Sequence, residues 1–392
     1  MQIVNILAWI FVIPLAAICA YLSLEILLGM RRVSNHTYSA SGSHKVVILV
    51  PAHNEANGIG DTVRSLSEVS PGATIHVVAD NCTDRTAAVA REAGATVHER
   101  FEMDRRGKGF ALAFGRECLS ANPPDALLVI DADCRLSPGS TELLAGLALD
   151  SGAPVQAINL LIAASDRSLM QSLSNFAMLI KNLVRARGMM RLGGGVNLLG
   201  TGMAFPWSVF SELPLATSDT VEDLNLGVYL AKRGIRVALV EGALITSSAA
   251  ATSDTLAQRS RWEHGFLATA WKSAVPLIFS GLIKRSRHRI TLGAHLLVPP
   301  IALLISILLM AMGLLAYLVV QGAYVWPLFL LSSCFATVLG LIGVAWWRHA
   351  RNTITLNQLL GAPFYLVWKL PIYVSFLFHR QSEWNRTRRK NE

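Results

Sequence analysis

Apolar residues fall along this chain in two kinds of run. Ile6–Leu24, Thr291–Val320 and Tyr324–Trp347 are long, nearly uninterrupted apolar stretches, each close to or beyond the roughly 20 residues that a bilayer crossing requires. Between the first and the later two lies a long stretch of mixed polarity. There, short β-branched runs alternate with helical patterns. Lys45–Val50, Thr74–Ala79, Ala95–His98 and Ala126–Ile130 read as strands, with helices predicted from about Gly60 and over Arg85–Ala93. Such alternation predicts an α/β domain with a mostly parallel sheet. Sheets of that kind bind ligands at the carboxyl ends of their strands. Two of those ends carry acids: Asp80 closes the second strand and Asp131 follows the fourth.

The flanks of the apolar runs predict an orientation. No basic residue precedes Ile6 and Arg31-Arg32 follows Leu24, which suits an uncleaved anchor leading into the cytoplasm. Lys284-Arg-Ser-Arg-His-Arg289 precedes the later pair of spans, Arg348-His-Ala-Arg351 follows it, and the intervening turn is uncharged. The basic flanks are therefore expected inside. Ile354–Phe378 is apolar but contains Pro363, Lys369 and Pro371 and ends in a basic tail. It reads better as re-entrant or interfacial helices than as a further crossing. The expected organisation is an anchor over 1–30, a cytoplasmic domain over 43–273 and an amphipathic interface helix over 274–290. Two spans over 291–347, interfacial helices over 354–379 and a basic cytoplasmic tail over 380–392 complete it.

Composition agrees with a membrane chain. Of 392 residues, 52% are hydrophobic and only 16% charged, against about a quarter charged in soluble domains. Five scattered cysteines form no C-x-x-C pair, which gives no sign of a disulfide framework or a zinc site. The net charge of +9 sits mostly beside apolar stretches, so membrane phospholipid rather than nucleic acid is the expected partner.

Asp131-Ala-Asp133 places two carboxylates on the same side of an extended segment, a seat for a hard divalent cation such as Mg²⁺ or Mn²⁺. Alone, such a pair occurs by chance in most long chains and reads more readily as a solvated turn whose Asp caps the following helix. Glu222-Asp223 offers a carboxylate for proton transfer, or simply acids at a helix start. Gln258, Arg261 and Trp262 share one helix face. The segment Gly193-Gly-Gly-Val-Asn-Leu-Leu-Gly200-Thr-Gly202 allows tight turns and close backbone approach, but its spacing does not match a dinucleotide-binding loop.

In order, Val50-Pro-Ala-His-Asn-Glu55, Val78-Ala-Asp-Asn-Cys-Thr-Asp84, Arg106-Gly-Lys-Gly109, Asp131-Ala-Asp133, Gly200-Thr-Gly202, Val221-Glu-Asp223 and Gln258-Arg-Ser-Arg-Trp262 resemble the motifs of family 2 inverting glycosyltransferases. The resemblance runs from about Val46 to Trp262. It extends to the membrane synthase branch that includes cellulose, chitin-oligosaccharide, hyaluronan and poly-N-acetylglucosamine synthases. It implies a Rossmann-like GT-A fold and a UDP-sugar donor. Glu55 and Asp80 would line the nucleotide pocket, with Asp80 contacting the base. Lys108 would offset the diphosphate, and Asp131 and Asp133 would hold the metal, Asp131 also contacting the donor. Asp223 would act as general base, while Glu222, Gln258, Arg261 and Trp262 would meet the acceptor or pyrophosphate.

The expected activity is transfer of a hexose or N-acetylhexosamine, with inversion, to a growing polysaccharide or lipid-linked glycan at the cell (inner) membrane. Single addition to a lipid-linked oligosaccharide is the alternative enzyme. A catalytically inactive scaffold in a polysaccharide export assembly is the alternative of another class, disfavoured because Asp131, Asp133 and Asp223 are all present.

Overall fold

The computed structural model describes residues 2–33, 44–162, 168–248 and 252–378. In chain order the elements are α1 (Gln2–Gly29), β1 (Val46–Ala52), α2 (Ile59–Val69), β2 (Ala73–Asp80), α3 (Thr86–Glu92), β3 (Thr96–Arg100), α4 (Lys108–Leu119), β4 (Ala126–Val129), β5 (Cys134–Leu136), α5 (Ser140–Ser151) and β6 (Val155–Ile162). Then come α6 (Leu169–Leu179), a widened π-helical turn (Ile180–Arg185), α7 (Ala186–Arg191), β7 (Met203–Pro206), α8 (Trp207–Phe210), α9 (Glu222–Lys232) and β8 (Ala238–Ser248). Six helices follow: α10 (Thr252–Ile283), α11 (Arg287–Leu297), α12 (Ile301–Val320), α13 (Trp326–His349), α14 (Leu356–Leu360) and α15 (Ala362–Phe378). They form two compact units. Residues 32–166 and 195–266 make a sheet unit; residues 1–31, 167–194 and 267–380 make a helical unit.

The first four strands lie within a residue or two of their predicted positions. β1 and β4 are almost wholly buried, as continuous apolar runs must be when both faces of a sheet are covered. α2 packs on that sheet through Ile59, Val63 and Leu66, whose i, i+4, i+7 spacing puts them on one face. The strand order is β3-β2-β1-β4-β7-β6-β8-β5. β2 pairs in parallel with β3 and β1, and β1 with β4.

Beyond β4 the expectation of a mostly parallel, Rossmann-like GT-A sheet is corrected. β7 runs antiparallel to both β4 and β6, and β5 antiparallel to β8, so only β6–β8 is parallel in that half. The sheet is mixed. The physical reason is that apolar runs reveal that a segment is a strand but not which way it runs. The four residues of β7 also follow directly on the glycine-rich segment, where turn signals mask them.

In the helical unit, α1 carries Glu25, which is fully buried. Arg185, at the end of the π-helical turn, donates Nε–H to Glu25 Oε2 at 2.6 Å, and His295 Nδ1 lies 2.7 Å from Glu25 Oε1. A buried ion pair is tolerable only when its partners meet at good geometry, and here three elements converge to provide it. Gly188 and Gly29 make the approach possible: a side chain at either position would run into the backbone of Glu25 or Val184. Among the described residues, four helical segments are long and apolar enough to cross a membrane: Gln2–Gly29, Gln258–Ile283, Ile301–Val320 and Trp326–His349. Residues 274–290 fall on the end of α10, the turn after it and the start of α11, while 354–378 fall mainly on α14 and α15. The basic tail over 380–392 lies outside the described residues.

Candidate active site

The site is built where β4 ends. Asp131 and Asp133 follow that strand, both partly exposed. The ligand atoms of Asp131, Asp133 and Cys134 all lie within 4.8 Å of one another. The two carboxylates are hard oxygen donors and fit a divalent cation such as Mn²⁺ or Mg²⁺. Cys134 fits less well. It is buried in the sheet core, and burial, with the charges of Asp133 and Asp131, pushes its thiol well above the ordinary range, so it stays protonated.

Lys108 opens α4 and pairs its Nζ with Asp131 Oδ1. The same Nζ donates to the Gly200 carbonyl at 2.6 Å. Burial alone would lower the Lys108 pKa, but Asp131, then Glu222, outweigh it and hold the group above its ordinary value. A permanent cation thus sits against the first carboxylate, placed to offset added negative charge.

The Gly200-Thr-Gly202 turn closes over this pair. Gly200 and Gly202 have φ of 78° and 67°, a region that favours glycine. Thr201 Oγ1 accepts from the Asp131 amide at 3.1 Å. Buried Gln156 holds the turn from below. Its Nε2 donates to the Thr201 carbonyl at 2.9 Å, and its Oε1 accepts from the Leu199 amide at 3.0 Å. A Cβ on Gly200 would lie 3.2 Å from both Asp223 Oδ2 and Lys108 Nζ, so three of the predicted motifs meet at this glycine. Gly200→Ala is therefore expected to lose about 1–3 kcal/mol of stability through backbone strain. It should also cut turnover by forcing Lys108 and Asp223 aside. Thermal unfolding together with steady-state rates checks both effects.

Glu222 and Asp223 start α9. The Leu224 amide donates to Asp223 Oδ1 at 2.7 Å, orienting the carboxylate. Burial, with the charge of Asp223, pushes Glu222 up to about 7 although Lys108 opposes the shift. Between its ordinary value and about pH 7, the folded protein keeps a proton that the unfolded chain has released. Stability from this group accordingly falls as pH rises through that window. Glu222→Gln, which imitates the protonated form, should flatten that part of the profile. Thermal midpoints taken from pH 5 to pH 8 on both proteins test it.

Asp80 belongs to a second network. It ends β2 beside Arg100, its register partner at the end of β3, and the two form a buried ion pair at 2.6 Å. Burial lifts the Asp80 carboxyl while Arg100 opposes the rise. Asn81 Nδ2 also donates to Asp80 Oδ1, at 3.0 Å. Glu55 follows β1, and its amide donates to Thr86 Oγ1 at 2.7 Å. Within the sheet unit the structure thus brings Lys108, Asp131, Asp133, Glu222 and Asp223 into one cluster. It sets Asp80 and Glu55 at the neighbouring strand ends.

Gln258, Arg261 and Trp262 lie on the early turns of α10, each partly buried. Gly265 brings this helix against the acidic motif: a Cβ there would sit 2.5 Å from a methyl of Val221. Arg259 stacks its guanidinium on Trp262 at 4.9 Å, so one face of that ring is already covered. Arg100, Gln156 and Arg259 also belong to these networks, beyond the residues expected from the sequence. Only Arg100 carried a usable signal, because it ends the third strand as Asp80 ends the second.

A mixed α/β unit with paired acids after a strand, a lysine against them and a further acid at a helix start defines a compact candidate catalytic centre. The profile of the family described as "Glycosyltransferase like family 2" matches residues 44–265, more than half of the 392 residues and all of this cluster. The chain belongs to that family. Among curated proteins it is similar to Protein RfbJ of Shigella flexneri, 34% identical over 91 residues, which is 23% of this chain and 66% of that protein. It is also similar to 4,4'-diaponeurosporenoate glycosyltransferase of Staphylococcus haemolyticus, 32% identical over 100 residues, which is 24% of this chain and 26% of that protein. The chain thus spans less than two thirds of the length of these relatives. Among solved structures, a mannosyltransferase from Pyrobaculum calidifontis in complex with GDP-Man and Mn²⁺ superposes with a TM-score of 0.56 at 14% identity. The match covers 94% of this chain and 100% of that one.

Proposed function

We propose that the protein is a membrane-embedded, inverting transferase that moves one sugar from a UDP-sugar to a lipid-linked acceptor. The observation that carries this reading is the meeting of Lys108, Asp131 and Asp223 around Gly200. Donor phosphates would lie against Lys108, whose charge opposes theirs. Asp131 and Asp133 would hold a divalent cation, which when bound supplies positive charge to the departing diphosphate. Asp223, oriented by the Leu224 amide, would take the proton from the acceptor hydroxyl as that oxygen attacks the anomeric carbon. Glu222 keeps its own proton near neutrality and serves position rather than proton transfer. Gln258, Arg261 and Trp262 would face the acceptor, and Asp80 and Glu55 the nucleotide.

Single addition is favoured over a long polymer. The fold likeness over nearly the whole chain is to a mannosyltransferase, and among the described residues four segments are of spanning length, few for enclosing a wide polymer channel. The basic flanks 284–289 and 348–351 support a cytoplasmic sheet unit. The test is a panel of UDP- and GDP-sugars on purified membranes with a lipid-linked acceptor, product mass being read beside released nucleotide. One added sugar from a UDP donor, abolished by EDTA and restored by Mn²⁺ or Mg²⁺, is expected. A ladder of products would favour polymer synthesis, GDP-sugar use would move the donor assignment, and full activity in EDTA would remove the metal.

A further inference from the structure

Residues 1–31, 167–194 and 267–380 contain fifteen lysines and arginines and one acid, Glu25. That acid is fully buried and engaged by Arg185 and His295. Fifteen cations against one anion leave +14 on the helical unit, and the rest of the chain carries −5, which together give the +9 of the whole. No acid of this unit is left to offset its exposed cations.

Three of those cations gather where α10 gives way to α11. α10 ends at Ile283, Arg285 takes a φ of 50°, and Ser286 caps α11 by accepting from the Arg289 amide. Lys284, Arg285 and Arg287 are all exposed. Directly before them, Val275, Phe279 and Ile283 recur at every fourth position and therefore share one helix face. They are 58%, 67% and 77% exposed, and Trp271, 87% exposed, begins the same stripe. An apolar stripe ending in a cationic turn matches the order of chemistries met on leaving a bilayer, acyl chains and then phosphates.

We propose that the α10–α11 turn is a binding surface for the headgroups of anionic phospholipids, with the stripe from Trp271 to Ile283 set among acyl chains. This rests on the reading of the chain as membrane-embedded. Selectivity comes from charge rather than from a shaped pocket, so it should fall as salt is raised.

The full-length protein is reconstituted into phosphatidylcholine vesicles doped with brominated phosphatidylglycerol or brominated phosphatidylcholine. The quenching assigned to Trp271 is the difference between the protein and its Trp271→Phe variant. Stronger quenching by the anionic lipid is expected, weakening at high salt. It should fall roughly fivefold in relative affinity for each basic residue removed in Lys284→Gln, Arg285→Gln and Arg287→Gln combined. The charge-conserving set Lys284→Arg, Arg285→Lys and Arg287→Lys should retain it. Equal quenching by both lipids in the unaltered protein, or unchanged selectivity in the triple glutamine variant, overturns the proposal while leaving the membrane reading intact. Failure to enter vesicles at all overturns both.

Discussion

Asp223→Asn is expected to lower turnover roughly a thousandfold, within the range that a positioned general base contributes, while UDP binding stays unchanged. Asparagine keeps the size of the side chain and can still accept from the Leu224 amide, so the acidic motif should hold its shape. What it cannot do is take a proton. Glu222 is an unsuitable replacement: burial keeps it protonated up to about pH 7, and it is only 9% exposed. Titration calorimetry with UDP, set beside single-turnover rates, separates the two quantities. Undiminished turnover would remove Asp223 from the mechanism. Lost UDP binding would instead make it part of the donor pocket.

The second large effect lies outside the chemistry. Glu25→Gln is expected to destabilise the protein by about 3–5 kcal/mol, because it leaves the Arg185 charge buried without its counter-charge. Adding Arg185→Met to that variant should recover much of the loss, since replacing a buried pair by apolar groups of similar volume is often nearly neutral. Thermal unfolding in detergent of both single variants and the double variant gives the coupling directly. If Glu25→Gln unfolds at the same temperature as the unaltered protein, the pair contributes nothing to stability.

The fold is legible in the sequence where its chemistry is local. β1 to β4, α2 and α3 follow from apolar runs and turn residues. Asp131, Asp133, Asp223 and Lys108 follow from ordered motifs, and the fold brings them together. Pairing between distant segments is not legible in this way. The antiparallel course of β7 depends on its neighbours β4 and β6, and nothing within Met203–Pro206 encodes direction. Gln156 resembles any strand glutamine until the Gly200–Gly202 turn closes over it. Glu25 and His295 are separated by 270 residues and meet only where α11 packs against α1. Their spacing along the chain carries no trace of the contact.

The place of β7 also has a consequence for biogenesis. It fills the middle of the sheet, between β4 and β6, yet it is synthesised only after the chain has departed through α6 and α7, which belong to the helical unit. Until Met203–Pro206 leaves the ribosome, Ala126–Val129, wholly buried in the finished protein, has an unpaired edge. Such edges invite pairing with other chains, and long-range closure of this kind is slow. The turn that gathers Lys108 and Asp223 immediately precedes β7. Asp223 and β8 are made later still, so the candidate cluster and the sheet are complete only after Ser248 has been made, and a product truncated before residue 203 would leave the β4 edge open to pairing with other chains.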